Sequence, residues 1–198
     1  LRSGFEDEGA GAQFEAAGAA LAQAAEEEAL AEGLLHLLLQ EAGSAWDHAV
    51  YVVELASGEA RRLTPEGKAR YRQLAWGADA TTAYCVTDQG RDFLGLAALD
   101  TDTGELHWLA CPDWDIDDFA VSPDGSKIAY QVNVDGYSEI WVHEVATGQK
   151  TAVPIPTGQA YEPYKWLPTF SWSPDSRQLA FTFSAADRPA GLYVATPT

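Results

Sequence analysis

Methionine is absent from all 198 residues, and cysteine occurs only at Cys85 and Cys111. Two cysteines without metal-ligand spacing are too few for a disulfide framework, so a reduced, buried pair is expected and a cytoplasmic setting is favoured. Positive charge is also scarce: 12 Lys+Arg against 30 Asp+Glu give a formal charge of −18. Phosphate binding needs a basic footprint, so that balance argues against a nucleic-acid partner. No apolar run reaches a membrane span without Glu or His interrupting it, so no membrane partner is expected either. A chain that opens on Leu1 and contains no Met reads as processed or excerpted from something longer.

Catalytic signatures are missing as well. A serine nucleophile on a strand-to-helix turn requires Gly-x-Ser-x-Gly followed by an acid and a histidine, and no such segment exists. Of the four histidines, His36 lies among leucines, His48 begins a strand and His107 sits on an outer strand. His143 aligns with Val53 and Leu99 and reads as a packing residue. No catalytic, cofactor or metal site is expected.

What the chain does contain is a repeat. Phe119-Ala-Val-Ser-Pro-Asp-Gly-Ser-Lys-Ile-Ala-Tyr130 returns as Phe170-Ser-Trp-Ser-Pro-Asp-Ser-Arg-Gln-Leu-Ala-Phe181, and in worn form as Leu74-Ala-Trp-Gly-Ala-Asp-Ala-Thr-Thr-Ala-Tyr-Cys85. Asp79, Asp124 and Asp175 are spaced by 45 (124 − 79) and 51 (175 − 124) residues. In each copy a short apolar strand enters a turn, proline presets φ in two of the three, and Asp bonds the backbone two residues on.

A second marker shares the period. Gly58, Gly104 and Gly148 each follow Ser or Thr (Ser57, Thr103, Thr147), with an acid four residues earlier (Glu54, Asp100, Glu144). Their spacings, 46 (104 − 58) and 44 (148 − 104), run in phase with the Asp series. One four-stranded blade per repeat fits, at about 40–50 residues. The fold class predicted is all-β: a partial β-propeller of about four WD40-like blades over residues 46–198.

Residues 1–45 differ. Twelve acids against Arg2 crowd the first sixty residues, and Ala10 to Gln40 is Ala/Glu/Leu-rich, which predicts a helical or disordered segment stopped at Gly43. Leu34 to Leu39 is apolar all round except His36, so it is either buried or an association surface.

The acidic run Asp113-Trp-Asp-Ile-Asp-Asp118 places Asp113, Asp115, Asp117 and Asp124 at positions 1, 3, 5 and 12 of an EF-hand loop. Asp118 stands where that loop requires glycine, and strand should begin at Phe119, so a solvated loop is expected instead. The seven tryptophans mostly occupy repeated strand positions and read as core. Trp114 and Trp166 are exceptions, in loops that could face a central channel.

Residues 46–198 resemble the N-terminal β-propeller of the prolyl oligopeptidase (S9) family of serine peptidases. The resemblance rests on Trp46-Asp47 through Arg61-Arg-Leu-Thr64, Thr87-Asp-Gln-Gly-Arg-Asp-Phe-Leu-Gly-Leu96, Asp113 to Phe119, Ser122-Pro-Asp-Gly125 and Asn133-Val-Asp-Gly-Tyr-Ser138. Ser-Pro-Asp-Gly is shared with TolB-like propellers; the longer stretches point to the peptidase. The resemblance implies an α/β-hydrolase domain in the same parent chain as partner, with the propeller gating entry of short peptides. No catalytic residue carries over, because the triad belongs to the hydrolase domain. A TolB-like protein-binding module is the alternative. An unclosed propeller exposes strand edges, which predicts self-association or marginal stability.

Overall fold

The structure, a computed structural model, describes residues 36–160 and 169–197. Among the described residues fifteen strands run in order: β1 (His36–Ser44), β2 (Asp47–Glu54), β3 (Ala60–Arg62), β4 (Tyr71–Trp76), β5 (Thr82–Thr87), β6 (Gly95–Asp100), β7 (Leu106–Ala110), β8 (Ile116–Val121), β9 (Lys127–Val134), β10 (Tyr137–Glu144), β11 (Lys150–Val153), β12 (Gln159–Ala160), β13 (Phe170–Trp172), β14 (Leu179–Ala185) and β15 (Arg188–Ala195). They form four antiparallel sheets in sequence: β1-β2-β3, then β4-β5-β6-β7, then β8-β9-β10-β11. In the fourth, β12 and β13 both pair with β14, as does β15. The described residues contain no helix, and the architecture is a partial β-propeller.

The chain divides into two compact units, Leu1–Leu37 with Val53–Ala60, and Leu38–Val52 with Arg61–Thr198. The sheet-to-sheet packing described below lies within the second.

Several expectations are corrected. The first sheet has three strands rather than four, and the fourth reaches four only because its first strand is split into β12 and β13. Residues 36–44 form strand β1, where Ala/Glu/Leu composition pointed to helix; pairing with β2 overrides local propensity. The helical reading of residues 1–35 lies outside the described residues. Strand β8 begins at Ile116, three residues earlier than expected, so the acidic run is half strand.

Both repeat markers are turns built from their own side chains. In the aspartate turn, Asp79 Oδ1 accepts from Thr82 N at 2.9 Å, Asp124 Oδ1 from Ser126 N at 3.0 Å, and Asp175 Oδ1 from Arg177 N at 3.2 Å. The residue after each aspartate (Ala80, Gly125, Ser176) has φ of 56°, 70° and 59°. Such left-handed geometry directs the chain back into the next strand. In the glycine turn, each glycine N–H bonds the carbonyl of the acid four residues back at 2.8 Å. Ser57, Thr103 and Thr147 donate their hydroxyls to those acids' side chains at 2.7, 2.9 and 3.0 Å. The acid and the hydroxyl residue therefore recur because each turn needs both.

Apolar alternation then stacks the sheets. Val50, Val52 and Leu63 pack on Cys85, Ala97 and Leu99 of the second sheet. Leu96 and Val86 of the second meet Ile116 and Ile128 of the third, and Ile140 and Val142 of the third meet Phe170, Leu179 and Phe181 of the fourth. Burying one such side chain is worth about 1.5–3 kcal/mol. Cys85 is buried, and burial pushes its thiol up to about 12. Cys111 is free and exposed, against the expected buried pair, because it lies beyond the end of β7.

Candidate functional site

Three of the stretches that carry the resemblance, 87–96, 113–119 and 133–138, converge at one end of the second and third sheets. Residues 88–94, between β5 and β6, meet residues 111–115, which lead into β8. Leu94 N donates to Asp115 Oδ1 at 2.7 Å, and Ile116 N to Leu94 O at 3.0 Å. Arg91 Nη2 donates to Pro112 O at 2.8 Å while its guanidinium lies 5.2 Å over the Trp108 ring. The rings of Phe93 and Trp114 stand 6.4 Å apart. Asn133, at the end of β9, donates Nδ2 to Asp117 at 3.0 Å and its backbone N–H to Asp115 O at 2.9 Å.

The first strands of the second and third sheets share an irregularity. β4 is bulged between Arg72 and Ala75, and β8 between Ile116 and Asp118. In the fourth sheet β12 ends at Ala160 and β13 begins at Phe170, both paired with β14. Gln73 and Asp118 stand at these points and Thr169 just before β13, each six residues before its repeat aspartate (79 − 73, 124 − 118, 175 − 169). Asp118 joins them. Its Oδ1 accepts from Gln73 Nε2 and from Phe119 N (2.7 Å), and its Oδ2 accepts from Thr169 N at 2.8 Å. A buried carboxylate thus ties three successive sheets together at their first strands. The signal was present as a polar residue at constant offset, but Gln, Asp and Thr share no chemistry that marks them in a sequence.

The acidic run is therefore neither a solvated loop throughout nor a convergent cage. Asp115, Asp117 and Asp118 each accept bonds from a different loop or sheet, and Asp124 lies in the turn beyond the far end of β8. Among the described residues no group of three or more His, Cys, Asp or Glu could hold a metal ion. Desolvation raises the Asp117 carboxyl above its ordinary value, reinforced by Asp115 and Asp118 and opposed by Asn133 and Arg72. An acid raised in the folded state binds its proton more tightly folded than unfolded, so its ionisation costs stability as pH rises through its folded value. Asp117→Asn is expected to raise the thermal midpoint at pH 7 and to leave it unchanged near pH 4, as read by thermal unfolding at both pH values.

An open crevice of about 470 Å³ runs beside the loops between the second and third sheets, walled by Pro112, Trp114, Tyr130 and Trp141. Glu139 and Lys150 supply its charges, and Glu139 Oε2 accepts from Trp141 Nε1 at 3.1 Å. Trp114 thus lines a crevice between sheets, and Trp166 lies outside the described residues. Trp46, grouped with the core tryptophans, is 62% exposed, with the Arg70 guanidinium 5.0 Å over its ring.

The histidines form no base for a nucleophile. His48 is buried with Nδ1 3.0 Å from Tyr71 O, and His107 is exposed beside Glu105. His143 is buried with Nδ1 unpaired, and burial, with Lys150 across the strand pair, lowers its proton affinity. That geometry is a packing position. Among the described residues no histidine is hydrogen-bonded to a serine, threonine or cysteine side chain.

Sheets of this number, order and turn chemistry define a partial propeller. Comparison with solved structures gives the same class. The chain superposes on a prolyl endopeptidase with a TM-score of 0.66 at 16% identity, covering 82% of this chain and 23% of that one. Prolyl oligopeptidase B from Galerina marginata gives a TM-score of 0.66 at 15% identity, covering 82% and 23%. A putative TolB from Agrobacterium tumefaciens gives 0.59 at 17% identity, covering 81% of this chain and 57% of that one. No protein-family model matches the sequence, and no curated protein does. The chain spans about a quarter of the length of the prolyl peptidases it resembles.

Proposed function

We propose that this chain is the non-catalytic propeller portion of an S9-type serine peptidase, gating the access of short peptides to an α/β-hydrolase domain of the same parent chain. The observation that carries the reading is the loop cluster. Three of the five stretches of resemblance, 87–96, 113–119 and 133–138, are bonded to one another at one end of the sheets. Fold similarity to prolyl peptidases supports it, at 0.66 over 82% of the chain. Entry loops need rigid anchoring to discriminate among peptides by size, and the Asp115 and Asp117 bonds supply it.

The test is hydrolysis of short chromogenic peptides by this chain and by its full-length parent. Activity in the parent alone is expected. Activity in neither would sink the peptidase reading, and activity in this chain would place a catalytic site within it. A TolB-like protein-binding module is the second reading, favoured by the larger share of the TolB chain that is covered. A Gly-x-Ser-x-Gly segment downstream of Thr198 in the parent gene separates the two.

A further inference from the structure

The crevice between the second and third sheets lies inside the stack, because each of those sheets packs on a further sheet on its other side. Three aromatic rings line it. Tyr130 of β9 and Trp141 of β10 are register partners, and Trp114 comes from the loop between β7 and β8. Among the described residues no two of these rings stack on each other; Trp114 pairs instead with Phe93. Two other tryptophans already carry a guanidinium over the ring, Trp46 from Arg70 and Trp108 from Arg91. The crevice rings carry no cation from the described residues.

A carboxylate stands beside them. Glu139 accepts from Trp141 Nε1 at 3.1 Å, and burial together with the Glu139 charge pushes the Tyr130 phenol up to about 12. No described Lys, Arg or His forms an ion pair with Glu139. Lys150, the cation of the crevice, is opposite His143, four residues (143 − 139) along β10 from Glu139. That is about 13 Å of strand, beyond the screening length of about 8 Å at physiological ionic strength. We propose that the crevice binds a small organic ammonium ion, with its alkyl groups against Trp114, Tyr130 and Trp141 and its charge facing Glu139. The quadrupole of each ring face attracts such a cation. An inorganic divalent ion instead needs several oxygen ligands, and no described group of three or more His, Cys, Asp or Glu offers them. The volume of about 470 Å³ suits a small ligand, and a formal charge of −18 draws cations to the chain. The inference does not rest on the peptidase reading.

The test titrates this chain with choline and with 3,3-dimethylbutan-1-ol, a neutral molecule of the same shape, read by calorimetry and tryptophan fluorescence. Choline is expected to bind saturably, and the alcohol about tenfold or more weakly. Glu139→Gln and Trp114→Leu alter exposed side chains, and each is expected to weaken choline binding by about fivefold. Trp46→Leu, outside the crevice, is expected to leave it unchanged, and circular dichroism checks that every variant remains folded. Absence of saturable choline binding overturns the inference. So does equal affinity for the alcohol, which would mean that the crevice does not select for charge. Full choline affinity in both Glu139→Gln and Trp114→Leu also overturns it, by placing the bound cation elsewhere.

Discussion

Asp118→Asn is expected to cost about 2–3 kcal/mol of stability although the two side chains have nearly the same shape. The carboxylate accepts on both oxygens: Phe119 N and Gln73 Nε2 on one, Thr169 N on the other. An asparagine has a single acceptor. Whichever way its amide is turned, an NH₂ group faces a backbone N–H, either that of Phe119 or that of Thr169. A buried donor left without an acceptor loses its hydration with nothing in return. In a domain of this size the loss corresponds to about 5–10 °C in thermal midpoint, measurable by calorimetry. Gln73→Ala removes one donor and leaves both backbone bonds, so its effect should be smaller. Equal midpoints for the wild type and Asp118→Asn would show that the three sheets are not joined through this carboxylate.

Gly125→Val should be comparably damaging, at about 3 kcal/mol, and for a reason that separates space from conformation. Gly125 has φ of 70°, but its equivalents Ala80 and Ser176 adopt 56° and 59° with side chains in place. The turn geometry alone therefore does not require glycine. The neighbouring turn does: a Cβ on Gly125 would overlap the methyl of Ala78, in the corresponding turn of the preceding sheet. Asp124 N also donates to Ser176 Oγ of the following one at 3.1 Å. Valine would push the third sheet's turn away from its neighbour. Gly148→Val provides the control, with the same φ of 71° and nothing within 4 Å of its Cβ. There only the backbone penalty of about 1–2 kcal/mol remains. Chemical denaturation of the two variants should show Gly125→Val the less stable; the reverse order would mean that the turn-to-turn contact relaxes freely.

The repeat was legible because its markers bond to themselves. An aspartate that caps its own turn, or a threonine that bonds an acid three residues back, leaves the same signature wherever the turn recurs, whatever packs around it. Asp79, Asp124 and Asp175 consequently fixed the phase of all three later sheets. Residues 36–44 depart from their composition: leucine and glutamine favour helix in isolation, and only pairing with β2 makes them a strand. Cys111 and Trp46 were misplaced for the same kind of reason: composition says what a side chain prefers, and exposure depends on what stands over it.

The candidate site divides along the same line. Asp115 and Asp117 could be singled out as an acidic run, but their destinations, Leu94 N and Asn133 Nδ2, lie 21 and 16 residues away. Gln73, Asp118 and Thr169 are 45 and 51 residues apart (118 − 73, 169 − 118) and meet only once the sheets stack. By itself the sequence determined the all-β class, the repeat and the turns, because those depend on interactions within a few residues and on period-2 alternation. Only the tertiary structure decided which carboxylates serve as ties between sheets and which tryptophans line a crevice. Those properties belong to contacts between sheets, and equivalent positions in a repeat acquire different surroundings as soon as their neighbours differ.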